Sequence, residues 1–553
     1  MKRRDLIKGL TLLPLAGGIT AGSQSVNAAP VAENGLGIPA GSLVPGPQIY
    51  QSIGVEPVIN CRGTFTIIGA SVELPEVRQA MESACQYFVQ LDELAMGVGK
   101  RLAEITGAEW GMVSAGCAAG IKHVTAGCVT GGNPEKLIRI PNLEGFEKNE
   151  VVIPKSSRNV YDHAIRNIGV KIITVETLDE LKNAISSRTA MIYFNSESEA
   201  EATIKLQEIA AVAKPKNVPI LVDAAAEILT IPNVHLAKGA TVVGYSGGKA
   251  IRGPQCAGLL LGDKKILMAA WQASSPHHGP GRDNKLGREE HIGMLAAVEA
   301  WGKRDHEKEM KTWNSYLENI AKRVSGIESV KTTITQPTGL GNRTPTLSIE
   351  WDPNKLNITG QEVANELSST KPRIALSTGP VVRTEATTPP PNPTTSISIA
   401  SWMMQPGNDK VVANRVFEVL SRKRSPKSQE MKAPVANIGG RWDVTVEFFT
   451  SKSEHQLFIE KQDGNWLQGS HKGDFAVREM SGTIEGDQVK LRSNYNAPGD
   501  GIVFTFTGTV TGDTMSGNIH MGEYLTSTFT ARRYLYKSPH VPVNVPIGPP
   551  LSS

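Results

Sequence analysis

The chain of 553 residues is poor in cysteine, aromatic side chains and net charge. Its five cysteines, Cys61, Cys85, Cys117, Cys128 and Cys256, all fall in the first half. They are odd in number and match no zinc spacing. Neither a metal centre nor a disulfide framework is therefore expected, and buried free thiols are, although sequence leaves a single disulfide open. Beyond the N-terminus no apolar run is long enough to cross a bilayer, so no membrane partner is expected. Net charge is +4, of which Lys2, Arg3, Arg4 and Lys8 less Asp5 supply three; the remainder, near +1, argues against a nucleic-acid partner. Phosphate-binding glycine motifs are missing as well. Val243 and Ala250 stand where a Walker loop ending at Lys249 needs Gly and Ser or Thr, and no GxGxxG opens a helix after a strand.

What is present begins with an address. Arg3-Arg4-Asp5-Leu6-Ile7-Lys8, an apolar stretch through Leu15 and a small-residue site at Val26-Asn27-Ala28 read as a twin-arginine (Tat) signal over residues 1–29. The expected location is the periplasm. That route carries proteins already folded, with any cofactor already inserted.

After a Gly/Pro-rich lead-in, short apolar runs alternate with helical patterns from about residue 50 to 305. Val151–Ile153, Lys171–Val175, Ala190–Phe194 and Ile220–Val222 read as strands; Leu74–Glu82, Leu178–Ile185 and Ile204–Ala213 read as helices. This alternation predicts an α/β fold, a mostly parallel sheet with helices on both faces. A smaller α/β subdomain is expected over 306–425, with a helix from Thr312 to Val324, strands at Thr346–Glu350 and Thr395–Ile399, and a closing helix from Asp409 to Leu420. Thr387–Pro393 reads as a stiff loop and 426–437 as a linker. From 438 to 535 the period becomes two, as in Trp442, Val444, Val446 and Phe448, with turn signals such as Asp463-Gly464 and Gly512-Asp513. About eight antiparallel strands in a separate all-β barrel or sandwich are expected, with a lipocalin-like opening at Gly440-Arg441-Trp442 and a Pro-rich tail over 536–553.

Two segments carry chemistry. Val218–Asp223 is an apolar run ending in a carboxylate, which reads as a buried strand delivering Asp223 to the carboxyl edge of the sheet, where open α/β sheets bind ligands. Tyr245-Ser246-Gly247-Gly248-Lys249 follows the next apolar run and offers an amine after two glycines. An Asp and a Lys on neighbouring strand ends are what pyridoxal 5′-phosphate (PLP) requires. The Lys forms the Schiff base, and the Asp keeps the pyridine nitrogen protonated. Val113–Gly120, including Ser114, Gly116 and Cys117, lies between a strand and a helix and reads as a phosphate cradle; the Ser246 hydroxyl and the Gly253–Gln255 turn are candidates beside the same phosphate.

Ile59–Thr64 with Gly69–Ser71, Asn159–Gly169, Ser246–Lys249 with Gly253–Gln255, and Gly281–Glu289 resemble the selenocysteine-synthase-like (SelA-like) family of fold-type I PLP enzymes, with an aminotransferase class V-like fold, over about residues 50–425. The resemblance implies Lys249 as the Schiff-base lysine, Asp223 as the pyridinium partner, and Gly116 and Cys117 in the phosphate loop. It also implies a homodimer or higher oligomer. One departure stands out. The loop Lys155–Asn159 has no aromatic ring to stack on PLP, so either Arg158 stacks or pairs there, or Tyr161 and His163 reach in; His163 reads more readily as a helix-surface histidine.

Ser274–Arg282 is the substrate-facing candidate, with His278 as a proton donor and Arg282 as an anion clamp, against the plainer reading of a surface loop. Arg373 is the candidate for a substrate carboxylate, with Arg383 as competitor. The expected function is a PLP-dependent lyase or transferase. It would act on a small-molecule amine, an amino acid or amino-sugar acid, by β-elimination or β-replacement. A racemase or aminotransferase, and a non-catalytic PLP-fold binding protein, are the alternatives.

Overall fold

The structure, a computed structural model, describes residues 43–341, 343–379, 394–426, 430–524 and 526–535. The signal segment, the Thr387–Pro393 loop, Arg383 and the Pro-rich tail lie outside the described residues. The chain divides into two compact units. Among the described residues, one holds Glu56–Glu430 with Tyr495–Ile502, and the other holds those before Glu56, Met431–Asn494 and those from Val503.

A seven-stranded sheet forms the heart of the first unit, in the order Trp110–Ser114, Gly258–Gly262, Val242–Ser246, Ile220–Asp223, Thr189–Asn195, Glu150–Pro154, Lys171–Val175. Gly258–Gly262 runs antiparallel to both neighbours, and the remaining pairs are parallel. Successive residues feed opposite faces: Val152, Ile192, Phe194, Val222 and Val243 enter one core, while Val151, Ile153, Met191, Tyr193 and Leu221 enter the other. Burial on both sides explains why these strands read as continuous apolar runs rather than as alternating ones. Pro75 opens the helix Pro75–Cys85 at its first turn, where no amide donor is missed.

A four-stranded antiparallel sheet follows, ordered Ser377–Thr378, Thr395–Ala400, Thr346–Trp351, Lys331–Thr335. Here every second residue is buried, as in Leu347, Ile349 and Trp351, and these meet Leu317, Ile320 and Val324 of the helix His306–Val324. That helix begins earlier than the apolar pattern indicates because Asp305 caps it, accepting from the Lys308 amide at 2.9 Å. The pair Val58–Asn60 and Arg373–Ala375, too short to leave a sequence period, ties the start of the unit to this subdomain in parallel.

The second unit contains a closed barrel of eight strands in sequence order, sealed by pairing of Gly440–Glu447 with Thr526–Arg533. Trp442, Val444 and Val446 point inward and are fully buried. Closure, rather than a two-sheet sandwich, removes the open strand edges.

Candidate active site

Parallel pairing sets the site. Asn195, Asp223 and Gly244 lie side by side at the carboxyl ends of three adjacent strands. The Asp223 carboxylate is buried and held by three donors. The Ala225 amide (3.0 Å) and the Cys117 thiol (3.6 Å) donate to Oδ1, and the Tyr193 hydroxyl donates to Oδ2 at 2.7 Å. Burial, together with the charge of Asp223, pushes the Cys117 thiol and the Tyr193 phenol well above their ordinary values, so both remain neutral donors. Two lone pairs on each oxygen give four acceptor positions; three are used, and the open one is on Oδ2. The Asn159 amide donates to the Tyr193 oxygen at 3.2 Å, so the network runs back into the Asn159–Gly169 segment.

Lys249 follows the next strand in the sheet. Its ammonium group has no hydrogen-bond or ion-pair partner among the described residues, and its charge is felt at Cys117, which touches Asp223. The preceding glycines are steric requirements. A Cβ on Gly248 would sit 2.7 Å from the Gln255 Cα, so only glycine lets the lysine loop pack on the 253–257 turn. The Gly248 carbonyl accepts from the Ser71 amide at 3.0 Å, which brings the Gly69–Ser71 segment to the lysine.

The expected cradle sits where the strand Trp110–Ser114 turns into the helix Gly116–Thr130. Gly116 has φ +83°, which favours glycine, and no side chain caps the helix. Ser114 is buried and donates to the Gly116 carbonyl at 2.9 Å, so its hydroxyl shapes the turn. The Ser246 hydroxyl makes no hydrogen bond to any described residue.

Other candidates are held elsewhere. Arg158 donates to Asp162, to Thr174 Oγ1 and to the Pro498 carbonyl, contacts that occupy its guanidinium. Arg373 donates to the main-chain carbonyls of Ser368 and Glu56, fastening a helix end to the start of the unit. His278 and Arg282 are exposed; Arg282 reaches the Ser275 hydroxyl at 3.4 Å, and neither contacts Asp223 or Lys249. His163 and Tyr161 lie at the surface. Sequence reasoning missed Tyr193, which sits within an apolar strand that looks like core alone.

No protein-family model matches the chain. D-glucosaminate-6-phosphate ammonia lyase of Salmonella typhimurium (strain 14028s / SGSC 2262) is 30% identical over 332 residues, covering 58% of this chain and 87% of the relative. The chain belongs to the SelA-like family of PLP-dependent enzymes. A solved structure of D-glucosaminate-6-phosphate ammonia-lyase superposes with a TM-score of 0.59 at 26% identity, covering 68% of this chain and 99% of that one. A 5′-C-glycyluridine monooxygenase-decarboxylase of Streptomyces sp is 28% identical over 340 residues, covering 59% and 83%. The SelA-like family also holds the seryl-tRNA(Sec) selenium transferases.

This SelA-like chain is thus a PLP-dependent enzyme of fold type I, and its residues fit the cofactor. The open acceptor on Asp223 Oδ2 suits a protonated pyridine nitrogen, the unpartnered Lys249 amine suits the cofactor aldehyde, and the uncapped helix at Gly116 with the Ser246 hydroxyl suits a phosphate. Among the described residues no cluster of His, Cys, Asp and Glu has the makings of a metal site.

Proposed function

We propose that this SelA-like enzyme is a lyase that removes a β-substituent from a small amine substrate, an amino acid or amino-sugar acid, and works in the periplasm. The observation that carries the proposal is Asp223, buried and held by three neutral donors, one strand away from the unpartnered Lys249.

PLP, when bound, supplies an electron sink next to the substrate's α-carbon. The chain's own residues do the rest. Asp223 Oδ2 holds the proton of the ring nitrogen in place, and Tyr193, Cys117 and Ala225 keep the carboxylate from turning away. Lys249 would be the base that takes the α-proton, since its amine has no partner among the described residues and follows the strand beside Asp223. The Gly116 turn, with Ser246, Cys117 and the buried Ser114 behind it, anchors the phosphate end. Arg282, His278 and Arg373 stay as proposed substrate contacts that require movement from the positions described here. Arg158 enters as a positioning residue, through Asp162.

Elimination is favoured because the relative at 30% identity is an ammonia lyase. The monooxygenase-decarboxylase relative makes the fate of the bound amine the point to test. PLP-loaded protein incubated with D- and L-amino acids and D-glucosaminate 6-phosphate should release ammonia together with a keto acid. Inversion without ammonia, or amino transfer to a keto acid, would replace this reading by racemase or aminotransferase. A homo-oligomer completes the proposal, supported by the strongly exposed Ile67, Tyr87 and Phe88, which are costly to leave in water.

A further inference from the structure

A cavity of about 880 Å³ opens at the carboxyl end of the sheet, between the segment after the Thr189–Asn195 strand, the segment after Asp223, and the Thr338–Gly341 loop of the smaller subdomain. Three carboxyl groups line it, Glu197, Glu199 and Glu227. Glu199 is paired with Lys238 at 2.9 Å, and Glu227 is buried against His235 at 2.6 Å. The Lys205 ammonium donates to the main-chain carbonyls of Glu199 and Ala200. The Glu197 carboxyl, by contrast, has no hydrogen-bond or ion-pair partner among the described residues. Its backbone is fixed: the amide donates to Asn195 Oδ1 at 3.1 Å, and the hydroxyl of adjacent Ser196 donates to the Asp223 carbonyl at 2.8 Å. Glu197 is therefore tied through two residues to the strand end that carries Asp223.

Glu197 is exposed to the cavity; the loss of water on its walled side raises its carboxyl from the ordinary value, Lys249 opposes the rise, and the charges of Asp223 and Glu227 add to it. Of the ionisable groups that line this cavity, Glu197 is the one whose side chain has no partner among the described residues. An elimination needs two proton sites, one to receive the α-proton and one to give a proton to the departing oxygen.

We propose that Glu197 is the catalytic acid that protonates the β-hydroxyl of the substrate as it leaves. The inference rests on the lyase reading above. In the step, the Cα–H bond breaks and its proton goes to Lys249. The electron pair forms the Cα–Cβ double bond, the Cβ–O bond breaks, and Glu197 supplies the proton that turns the leaving hydroxide into water. The acid is needed for hydroxide, a poor leaving group, and is not needed for chloride.

The test compares the PLP-loaded wild type with Glu197→Gln and Glu197→Asp, using D- and L-serine and D-glucosaminate 6-phosphate as hydroxyl probes and both enantiomers of β-chloroalanine as the chloride probe. Glu197→Gln should lose roughly a hundredfold or more on the hydroxyl probe. Chloride release should stay within about threefold of wild type, and Glu197→Asp should recover part of the lost rate. A second readout needs no turnover: loss of the Glu197 proton should appear as a separate step in the pH titration of the visible band of bound PLP, and that step should be absent in Glu197→Gln. Equal losses on both probes, or a titration that Glu197→Gln leaves unchanged, overturn the inference and leave the lyase reading intact. A wild type that releases chloride but never hydroxide also overturns it. A wild type that eliminates neither overturns the lyase reading, and the proton-donor role falls with it.

Discussion

Replacing Asp223 by Asn changes the central charge of the site without changing its shape. The Asn oxygen belongs at the Oδ1 position, where the Ala225 amide and the Cys117 thiol donate, because the reverse orientation sets two N–H groups against each other. The new amide nitrogen then faces Tyr193. The phenol can accept from it, but gives up its own acceptor, and loss of that one hydrogen bond costs about 1 kcal/mol of stability. The fold survives. At the cofactor, a hydrogen bond to a charged group, about 1.5–3 kcal/mol, is exchanged for one between neutral groups, about 0.5–1.5 kcal/mol. The difference, about 1–1.5 kcal/mol, is roughly a five- to twelvefold weaker PLP affinity. Turnover should suffer more, roughly a hundred- to thousandfold, because the lost charge stabilised the electron-rich transition state. Equilibrium loading followed by absorbance, steady-state ammonia release and thermal melting separate the three effects. An Asp223→Asn protein that loads PLP normally and turns over within about threefold of wild type refutes the assignment.

Three further outcomes are expected. Trp442→Ala should destabilise the barrel by about 3–5 kcal/mol, since it deletes a fully buried indole; calorimetry should show the loss in one transition, with PLP loading retained. Inside the barrel, His471 bonds Ser493 at 2.7 Å and His455 at 3.0 Å, and burial with neighbouring His455 and Arg478 pushes its imidazole down to about 3. The unfolded chain binds the extra proton between pH 6.5 and 3, so barrel stability should fall through that window with a slope up to about 1.4 kcal/mol per pH unit, which a pH series of denaturant melts measures. Changing Arg3 and Arg4 together to Lys should leave the protein in the cytoplasmic fraction, whereas unchanged recovery from the periplasm would remove the export proposal.

The strands most legible in the sequence are those buried on both faces. Val151–Ile153, Ala190–Phe194 and Ile220–Val222 extend by only a residue or two in the structure, because continuous apolar runs have few other uses at that length. Gly258–Gly262 is not legible as a strand, although Gly258-Leu-Leu-Leu-Gly262 is as apolar, because alternation with helices leads to parallel strands and this one runs antiparallel. The placement of Asp223 at a strand end, beside the strand that leads on to Lys249, is legible because each follows an apolar run closely. The side chains that orient Asp223 were not. Tyr193 is linked to it by register across two strands, and Cys117 by helix placement, relations that no local spacing encodes. Arg158 and Arg373 show the converse: a cation at a suggestive position bonds instead to the buried Asp162 or to helix-end carbonyls, and sequence does not rank these partners.

The central claim, that Lys249 is the residue joined to PLP, is tested most directly by borohydride reduction of the PLP-loaded protein followed by peptide mass mapping. The account predicts a phosphopyridoxyl group on Lys249, with no incorporation at that position in Lys249→Ala. Label on a different lysine, or none after reduction of a protein that has taken up PLP, would contradict it.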